Sequence, residues 1–261
     1  MADKLKYDFS SQPCSIGDVL IFYEYMQVIN EDDFDFIFTY NPDFPSQDNP
    51  VFSYITPKNC KAYFWELMQM AKLPRVKSVS LETHSNPRGA YGFYHWMDTI
   101  VEYYNQHGFI PSLDVTKPEQ RDYISVQLRR NKYNPARNSQ YGEWEKFFGN
   151  HLEEDFVVVC SKDEKPDFKF PNLHIAKDEN STIKDDLIYV QNSKLHMGAT
   201  SGTSAVRHYS TRPVVTFNSK NMMVGNTWFK DNRFPWWTDK QAILGEMDTI
   251  DEIERAFECY H

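Results

Sequence analysis

The segment KLHMGATSGTSAVRHYSTRPVVTFN, residues 194–218, has the pattern of a strand, a tight turn, a helix and a second strand. Residues 195–198 form the first predicted strand, 199–202 the loop and 203–210 the helix, and the apolar run at 213–217 belongs to the second strand. A strand that returns through a helix to another strand is the building unit of a parallel sheet. The segment therefore predicts an α/β fold.

The same alternation of strand-like and helix-like runs continues on both sides of this segment. The predicted elements, in chain order, are a helix at 15–30, a strand at 33–40, a helix at 60–72, a strand at 75–83, a helix at 93–108, a strand at 123–130, a helix at 141–152, strands at 155–161 and 172–178, a helix at 181–193, and a last helix at 248–261. Asp248 and Asp251 are candidate N-caps of the last helix.

The segment 109–122 has two prolines and little periodicity, so it separates an N-terminal domain, 1–115, from a C-terminal domain, 116–261. The pattern predicts two Rossmann-like domains that face each other across a cleft.

Composition and charge exclude several classes of protein. The net charge of −9 disfavours a general nucleic-acid binder, which needs a basic face, but permits one nucleotide held by a few arginines. The four cysteines are widely spaced and form no CxxC pair, which disfavours a zinc site or a disulfide framework. Neither a signal-peptide core nor a run of the ~20 apolar residues that span a membrane is present. We therefore expect a cytoplasmic protein without a transmembrane segment, with peripheral membrane association left open.

The turn that follows residue 199 is a candidate anion site. Gly202 permits close approach to the backbone, and the hydroxyls of Thr200, Ser201, Thr203 and Ser204 are candidate donors. Free backbone amides at the start of the predicted helix favour a bound phosphate. The alternative is an ordinary capped turn, because small residues are common between strands and helices and this is neither a Walker nor a GxGxxG sequence.

A cluster of cations follows the predicted strand 123–130 in an otherwise acidic chain. The loop at the carboxyl end of this strand contains Arg129, Arg130, Lys132 and Arg137. The planar guanidinium suits bidentate contact with diphosphate oxygens, so these residues are candidates for holding a nucleoside diphosphate. The alternative is a solvated charged surface.

The stretch CSIGDVLIF, residues 14–22, supplies a candidate general base. Gly17 is predicted to make a turn, and Asp18 is predicted to lie at the start of the first helix, in the half opposite the anion-binding turn. A carboxylate in that place suits proton abstraction, although an N-cap aspartate explains it as well.

The loop 84–94 is a candidate acceptor pocket, with His84, Arg88 and Tyr91 in it and His95 on the following helix. The alternative for His95 is a buried structural histidine. The acids Asp33 and Asp35 resemble the DxD motif of metal-dependent glycosyltransferases, but here they enter a strand rather than follow one. We therefore predict no metal site.

Together these stretches resemble glycosyltransferases of the two-Rossmann-domain, or GT-B, class. SIGDVLIF is similar to the turn that opens bacterial heptosyltransferases, and this resemblance implies that Asp18 is the base. VQLRRNKY is similar to the strand-and-arginine segment of fucosyltransferases, and MGATSGTSAVRHYSTRPVV to the phosphate turn, helix and strand near the end of such enzymes. Asp185 and Asp186 are candidates for the donor nucleoside by position.

The resemblance implies transfer of a sugar from a nucleotide-sugar donor to a hydroxyl of a glycan or glycolipid acceptor. Inversion, independence of metal and the absence of any cofactor besides the donor substrate are expected with it. Two alternatives stay open. One is another enzyme of sugar-nucleotide or polysaccharide modification, such as an epimerase or a pyruvyltransferase. The other is a non-catalytic glycan-binding module, because aromatic clefts also bind sugars.

Overall fold

The structure is a computed structural model that describes residues 5–9, 12, 15–40, 65–83, 92–131, 135–219, 228–229, 231 and 233–261. The chain divides into two compact units, Met1–Thr116 and Lys117–His261. In the described part of the chain, no helix is long and apolar enough to cross a membrane.

The N-terminal unit contains a parallel sheet of three strands in the order β1-β2-β3. Its elements are β1 (Lys6–Asp8), α1 (Ile16–Ile29), β2 (Phe34–Tyr40), a 3-10 helix (Met68–Lys72), β3 (Val76–Thr83) and α2 (Phe93–His107). Helix α2 ends as the sequence predicts, at Gly108, which adopts φ +75° and donates its amide to Tyr104 O at 2.7 Å. The described end of the predicted helix 60–72 is mostly 3-10 helix, and residues 60–64 lie outside the described part.

Aromatic rings form the core of the N-terminal unit. Tyr7 of β1 contacts Phe22 of α1, Phe38 of β2 and Trp96 of α2, with ring centroids 5.6–5.9 Å apart. All four side chains are at most 2% exposed. Aromatic contacts of this kind, two of the three being edge-to-face, stabilise a core beyond their buried area. The high aromatic content of the chain is therefore largely structural in this unit.

The C-terminal unit contains a parallel sheet of six strands in the order β6-β5-β4-β7-β8-β9. Its strands are β4 (Ile124–Gln127), β5 (Phe156–Val159), β6 (Leu173–Ile175), β7 (Leu195–Ala199), β8 (Val214–Phe217) and β9 (Gln241–Ile243). Its α-helices are α3 (Tyr141–Asn150), α4 (Ile183–Asn192), α5 (Ala205–His208) and α6 (Ile250–Tyr260). Four central strands are buried at every residue, as expected of a parallel sheet covered on both faces.

Helices α3 and α6 cover one face of this sheet, and Asp248 fixes them to it. Its buried carboxylate accepts hydrogen bonds from Trp144 Nε1 at 2.6 Å and Asn218 Nδ2 at 2.9 Å. Asp248 is therefore not an N-cap of α6, because Thr249 takes that position and accepts from the amide of Glu252 at 3.4 Å. The predicted caps Asp248 and Asp251 are both wrong.

Two short strands, β1 and β9, are absent from the sequence prediction. The predicted turn at Gly17 is wrong, because α1 already begins at Ile16. The predicted helix 203–210 begins as a 3-10 helix, Gly202–Ser204, and continues as α5. The predicted fold class, α/β with parallel sheets, is confirmed.

Candidate functional site

The candidate site lies where β4 and β7 end, at the centre of the C-terminal sheet. From β4 the chain builds the sheet outward through β5 to β6, and from β7 it builds in the opposite direction through β8 to β9. Ligands of open parallel sheets bind beyond the carboxyl ends of the strands at such a change of direction. The segment 128–140 follows β4 and the turn 200–204 follows β7, so both predicted phosphate-binding segments reach this point.

Gly198 allows β7 to lie close to β4 directly below the turn. It has φ +121° and pairs with Gln127. A Cβ atom at this position would lie 2.2 Å from the carbonyl oxygen of Gln127, closer than any real contact. A glycine is therefore required here by the sheet, independently of any ligand.

Two hydroxyls predicted to face a ligand are used within the unit. Thr200 is 2% exposed, and its hydroxyl bonds with that of Ser219 and donates to Phe217 O. Thr203 donates to Oε1 of buried Gln127 at 2.5 Å. These bonds fix the turn to the ends of β4 and β8.

A third hydroxyl, that of Ser204, belongs to a buried polar network under the turn. The Nε2 atom of His196 lies 3.1 Å from Ser204 Oγ, and its Nδ1 atom lies 2.9 Å from Ser125 Oγ. Ser125 in turn contacts Ser193, which accepts from Arg207 at 2.6 Å. Burial, reinforced by the charge of Arg207, holds the pKa of His196 well below its usual range, so its ring is neutral at pH 7.

Ser201 and Gly202 are the half-exposed part of the turn. The amide of Ser204 bonds to Ser201 O at 3.1 Å, which closes the 3-10 helix. Amides that precede the first bond of a helix have no partner inside it. Backbone amides and the Ser201 hydroxyl, rather than four hydroxyls, are therefore what this turn offers a ligand.

Arg129 lies immediately beyond β4 and is half-buried. Within the described part of the chain, its buried Nε atom has no hydrogen-bond partner. Burial lowers the pKa of Arg129, and the charge of Glu164 only partly offsets this effect. A partly desolvated guanidinium with an unused donor costs free energy unless an acceptor binds it.

The loop that carries Arg129 is closed and tied to its surroundings. The amide of Arg129 donates to Ser139 Oγ at 3.1 Å, and the amide of Ser139 donates to Arg129 O at 2.8 Å. Two residues before Ser139, a guanidinium nitrogen of Arg137 donates to Thr200 O, in the turn that follows β7. The structure therefore brings the arginine loop and the small-residue turn into contact, as the anion-site hypothesis requires.

Of the other two predicted cations, only Arg130 lies in the described part of the chain. Arg130 is exposed, and its guanidinium lies over the ring of Tyr141, 3.9 Å from the centroid. Lys132 lies outside the described residues. Arg129 thus combines partial burial with a buried donor that has no hydrogen-bond partner in the described part of the chain.

Asp185 and Asp186, the predicted nucleoside contacts, lie at the start of α4, after edge strand β6. Asp185 and Thr182 form a capping box, in which the side chain of each residue bonds to the backbone amide of the other. Asp186 is buried and forms an ion pair with Lys177 at 2.5 Å. Both carboxylates therefore have structural roles, and their binding of a nucleoside stays a prediction.

Asp18 lies in the first turn of α1, the helix that follows β1, and it is half-buried. His95 lies in the first turn of α2, is exposed, and packs against the ring of Tyr25 at 5.8 Å. Tyr25 is seven residues beyond Asp18 on α1, so His95 contacts this helix about 10 Å along its axis from Asp18. His84, Arg88 and Tyr91 lie outside the described residues. The buried-histidine alternative for His95 is wrong.

Sequence reasoning missed an aromatic cluster around His208, at the end of α5. Trp236 and Trp237 each donate their indole N–H to His208 O at 2.7 Å. The ring of His208 packs against Phe234 at 5.9 Å and Trp237 at 5.5 Å. The aromatic run at 234–237 was the available signal, but nothing in its spacing indicates a histidine partner.

His208 predicts a loss of stability in acid. Burial, reinforced by the charge of Arg137, lowers its pKa to about 3. Between about pH 6.5, the value for an unfolded chain, and about pH 3, the unfolded chain binds a proton that the folded chain does not. The free energy of unfolding should fall as the pH falls through this window, by about 1.4 kcal/mol per pH unit for this one group.

Urea unfolding of wild type and His208→Gln at pH 7, 6, 5 and 4 measures this contribution. The variant should lose less stability than wild type on acidification, whereas His174→Gln, at an exposed position of β6, should behave as wild type. Equal slopes for wild type and His208→Gln would contradict the assignment.

Among the described residues, no group of three or more His, Cys, Asp or Glu side chains is arranged to hold a metal ion.

Comparisons with known proteins bear on the fold. No protein-family model matches the chain, and no curated protein matches its sequence. Among solved structures, the chain is similar to E. coli heptosyltransferase WaaC with ADP-2-deoxy-2-fluoro heptose, with a TM-score of 0.50 at 9% identity over 98% of this chain and 99% of that chain. For the same enzyme with ADP the TM-score is 0.47, with the same identity and coverage.

A third similar structure is TibC, a bacterial iron-containing dodecameric glycosyltransferase from enterotoxigenic E. coli. Its TM-score is 0.44 at 12% identity, over 90% of this chain and 64% of that chain. The likeness to the first WaaC structure shows that this chain has a glycosyltransferase-like fold of the GT-B type, as predicted. The fucosyltransferase-like motifs stay a prediction.

Proposed function

We propose that the protein is a glycosyltransferase that moves a sugar from a nucleotide-sugar to a hydroxyl of a glycan or glycolipid acceptor. The C-terminal unit binds the donor and the N-terminal unit binds the acceptor. The fold supports this proposal, because the solved structure that it resembles is a heptosyltransferase with an ADP-sugar analogue.

The observation that carries the proposal is the partly buried guanidinium of Arg129, which has an unused donor among the described residues. Arg129 lies beyond β4, in a loop that contacts the turn 200–204. A diphosphate would satisfy that donor and would also accept from the amides of Ser201 and Gly202. Such a group is common to UDP-, GDP- and ADP-sugars, whereas a CMP-sugar carries a single phosphate.

The proposed reaction is a single displacement with inversion. Asp18 takes the proton of the acceptor hydroxyl, the acceptor oxygen attacks the anomeric carbon, and the bond from that carbon to the diphosphate oxygen breaks. The leaving diphosphate carries the developing negative charge, which Arg129 and the turn amides stabilise in the role that a metal ion has elsewhere. No further cofactor takes part. Residues His84, Arg88, Tyr91 and His95 are proposed to contact the acceptor.

Mass spectrometry of reaction mixtures tests the proposed reaction class. The protein is incubated with UDP-, GDP-, ADP- and CMP-sugars and a panel of glycan acceptors, with EDTA present. A gain in acceptor mass of one sugar residue, with release of the nucleotide, is the expected result. Isomerised donor without transfer would indicate an epimerase, and a gain of one pyruvyl group from an added pyruvyl donor would indicate a pyruvyltransferase. Absence of any transfer, together with absence of affinity for any nucleoside diphosphate, would indicate a binding module.

A further inference from the structure

A groove on the C-terminal unit runs along edge strand β6 and helix α4. Its volume is about 670 Å3, within the range of small-molecule pockets. It extends from Asp178 and Ser181, beyond β6, to Arg121 and Asn192, near the start of β4. Edge strand β6 is two strand spacings, or about 10 Å, from β4, and the start of β4 is at the opposite end of the sheet from Arg129. The groove therefore extends away from Arg129 toward the other end of the sheet, and it includes Asp185, the predicted contact of the donor nucleoside.

One face of α4 and the strand β6 form its walls. Asp185, Ile188, Tyr189 and Asn192 line it, and their spacing of three and four residues places them on one face of the helix. Three rings stand together here: Tyr189 contacts Tyr123 edge-to-face at 6.3 Å and His174 at 6.0 Å. Ring faces bordered by amide, hydroxyl and carboxylate groups suit a ligand with apolar C–H faces and many hydroxyls.

The charges of the groove disfavour an anionic ligand. Lys177 is paired with buried Asp186 at 2.5 Å, and Arg121 is paired with Glu119 at 2.6 Å. Asp178 and Asp185 add two further carboxylates to the lining. Because both cations of the lining are already paired and two carboxylates stand beside them, the groove offers an anionic ligand no uncompensated positive charge.

We propose that this groove is a second, non-catalytic saccharide site that binds a neutral oligosaccharide, with the ring of Tyr189 as its platform. A sugar ring stacks on an aromatic face while its hydroxyls bond to side chains such as Asn180 and Asn192. The inference draws on the chemistry of the groove alone and does not require that the protein transfers a sugar.

Saturation-transfer NMR with maltohexaose, cellohexaose and chitohexaose tests the site, with a heparin hexasaccharide as the anionic comparison. Wild type should bind at least one neutral hexasaccharide with a Kd of about 1 mM or below and should bind the heparin fragment more weakly. Tyr189→Ala should weaken the neutral ligand about tenfold or more, whereas Tyr189→Phe, which keeps the ring, should bind within about threefold of wild type. Tighter binding of the heparin fragment, or binding of no neutral hexasaccharide, would overturn the proposal.

Two controls separate this site from others. Tyr103→Ala removes a half-exposed tyrosine that likewise contacts a histidine ring, that of His107 at 4.1 Å, but on helix α2 of the other unit. It should bind the hexasaccharide as wild type does, and so should Arg129→Ala. A loss with either control equal to that of Tyr189→Ala would place the site elsewhere. Loss of nucleotide binding in Arg129→Ala with hexasaccharide binding unchanged would show that the two sites are independent.

Discussion

Gly198→Ala should strongly destabilise the C-terminal unit. The added Cβ atom would lie 2.2 Å from the carbonyl oxygen and 2.8 Å from the amide nitrogen of Gln127, both backbone atoms at the centre of the sheet. The residue also has φ +121°, which an L side chain rarely adopts. Strain and overlap together predict a loss of about 2–6 kcal/mol, a large part of the stability of a domain.

Gly142→Ala is the matched control for this substitution. Gly142 lies in α3 of the same unit, and a Cβ atom there would meet nothing within 4 Å. Alanine in a helix is better than glycine by about 0.5–1 kcal/mol, so this variant should be as stable as wild type or slightly more so. Urea unfolding of both variants gives the comparison. A Gly198→Ala variant as stable as Gly142→Ala would show that β4 and β7 do not approach as described.

Asp18→Asn should abolish most of the sugar transfer while leaving the donor site intact. The amide side chain keeps the shape of the carboxylate but cannot take a proton, so the rate should fall by about 100-fold or more. Binding of the nucleoside diphosphate should be unchanged, because Asp18 lies in the other unit. Transfer is measured as the rate of acceptor modification, and binding by calorimetry.

A purely structural Asp18 would give a different result. A carboxylate in the first turn of a helix stabilises it by about 0.3–1 kcal/mol, so Asp18→Asn would then lower the thermal stability slightly and leave the rate unchanged. Asp98→Asn, at an exposed position of α2 in the same unit, is the control and should transfer sugar at the wild-type rate. Full turnover by Asp18→Asn would remove the residue from the mechanism.

The strands and helices with strong periodicity could be predicted from the sequence. The apolar run at 156–159 and the glycine at 108 correctly indicate a buried strand and the end of a helix. Strands β1 and β9 could not be predicted, because each has only three residues and neighbouring strands define it. The caps of α6 were wrong because the packing of Trp144 and Asn218 against Asp248 is a tertiary contact.

The candidate site was predicted in part. The sequence indicates that Arg129 and the turn 200–204 each follow a strand, and the sheet order brings these strand ends together. The contact between Arg137 and Thr200, and the inward direction of the Thr200, Thr203 and Ser204 hydroxyls, depend on packing that no local pattern encodes. Asp185 is different, because Thr182 three residues earlier already gives the pattern of a capping box.

We expect a nucleoside diphosphate to bind at the ends of β4 and β7, and calorimetric titration of wild type and Arg129→Ala measures this binding. ADP, GDP, UDP and CDP and the corresponding nucleosides serve as ligands. At least one diphosphate should bind wild type, and Arg129→Ala should weaken it about 100-fold because charge-assisted hydrogen bonds to the phosphate are lost. Its nucleoside should be affected little. Arg255→Ala, at an exposed arginine of α6, is the control and should bind as wild type does. The account is contradicted if no diphosphate binds, or if Arg129→Ala folds and binds the diphosphate as tightly as wild type.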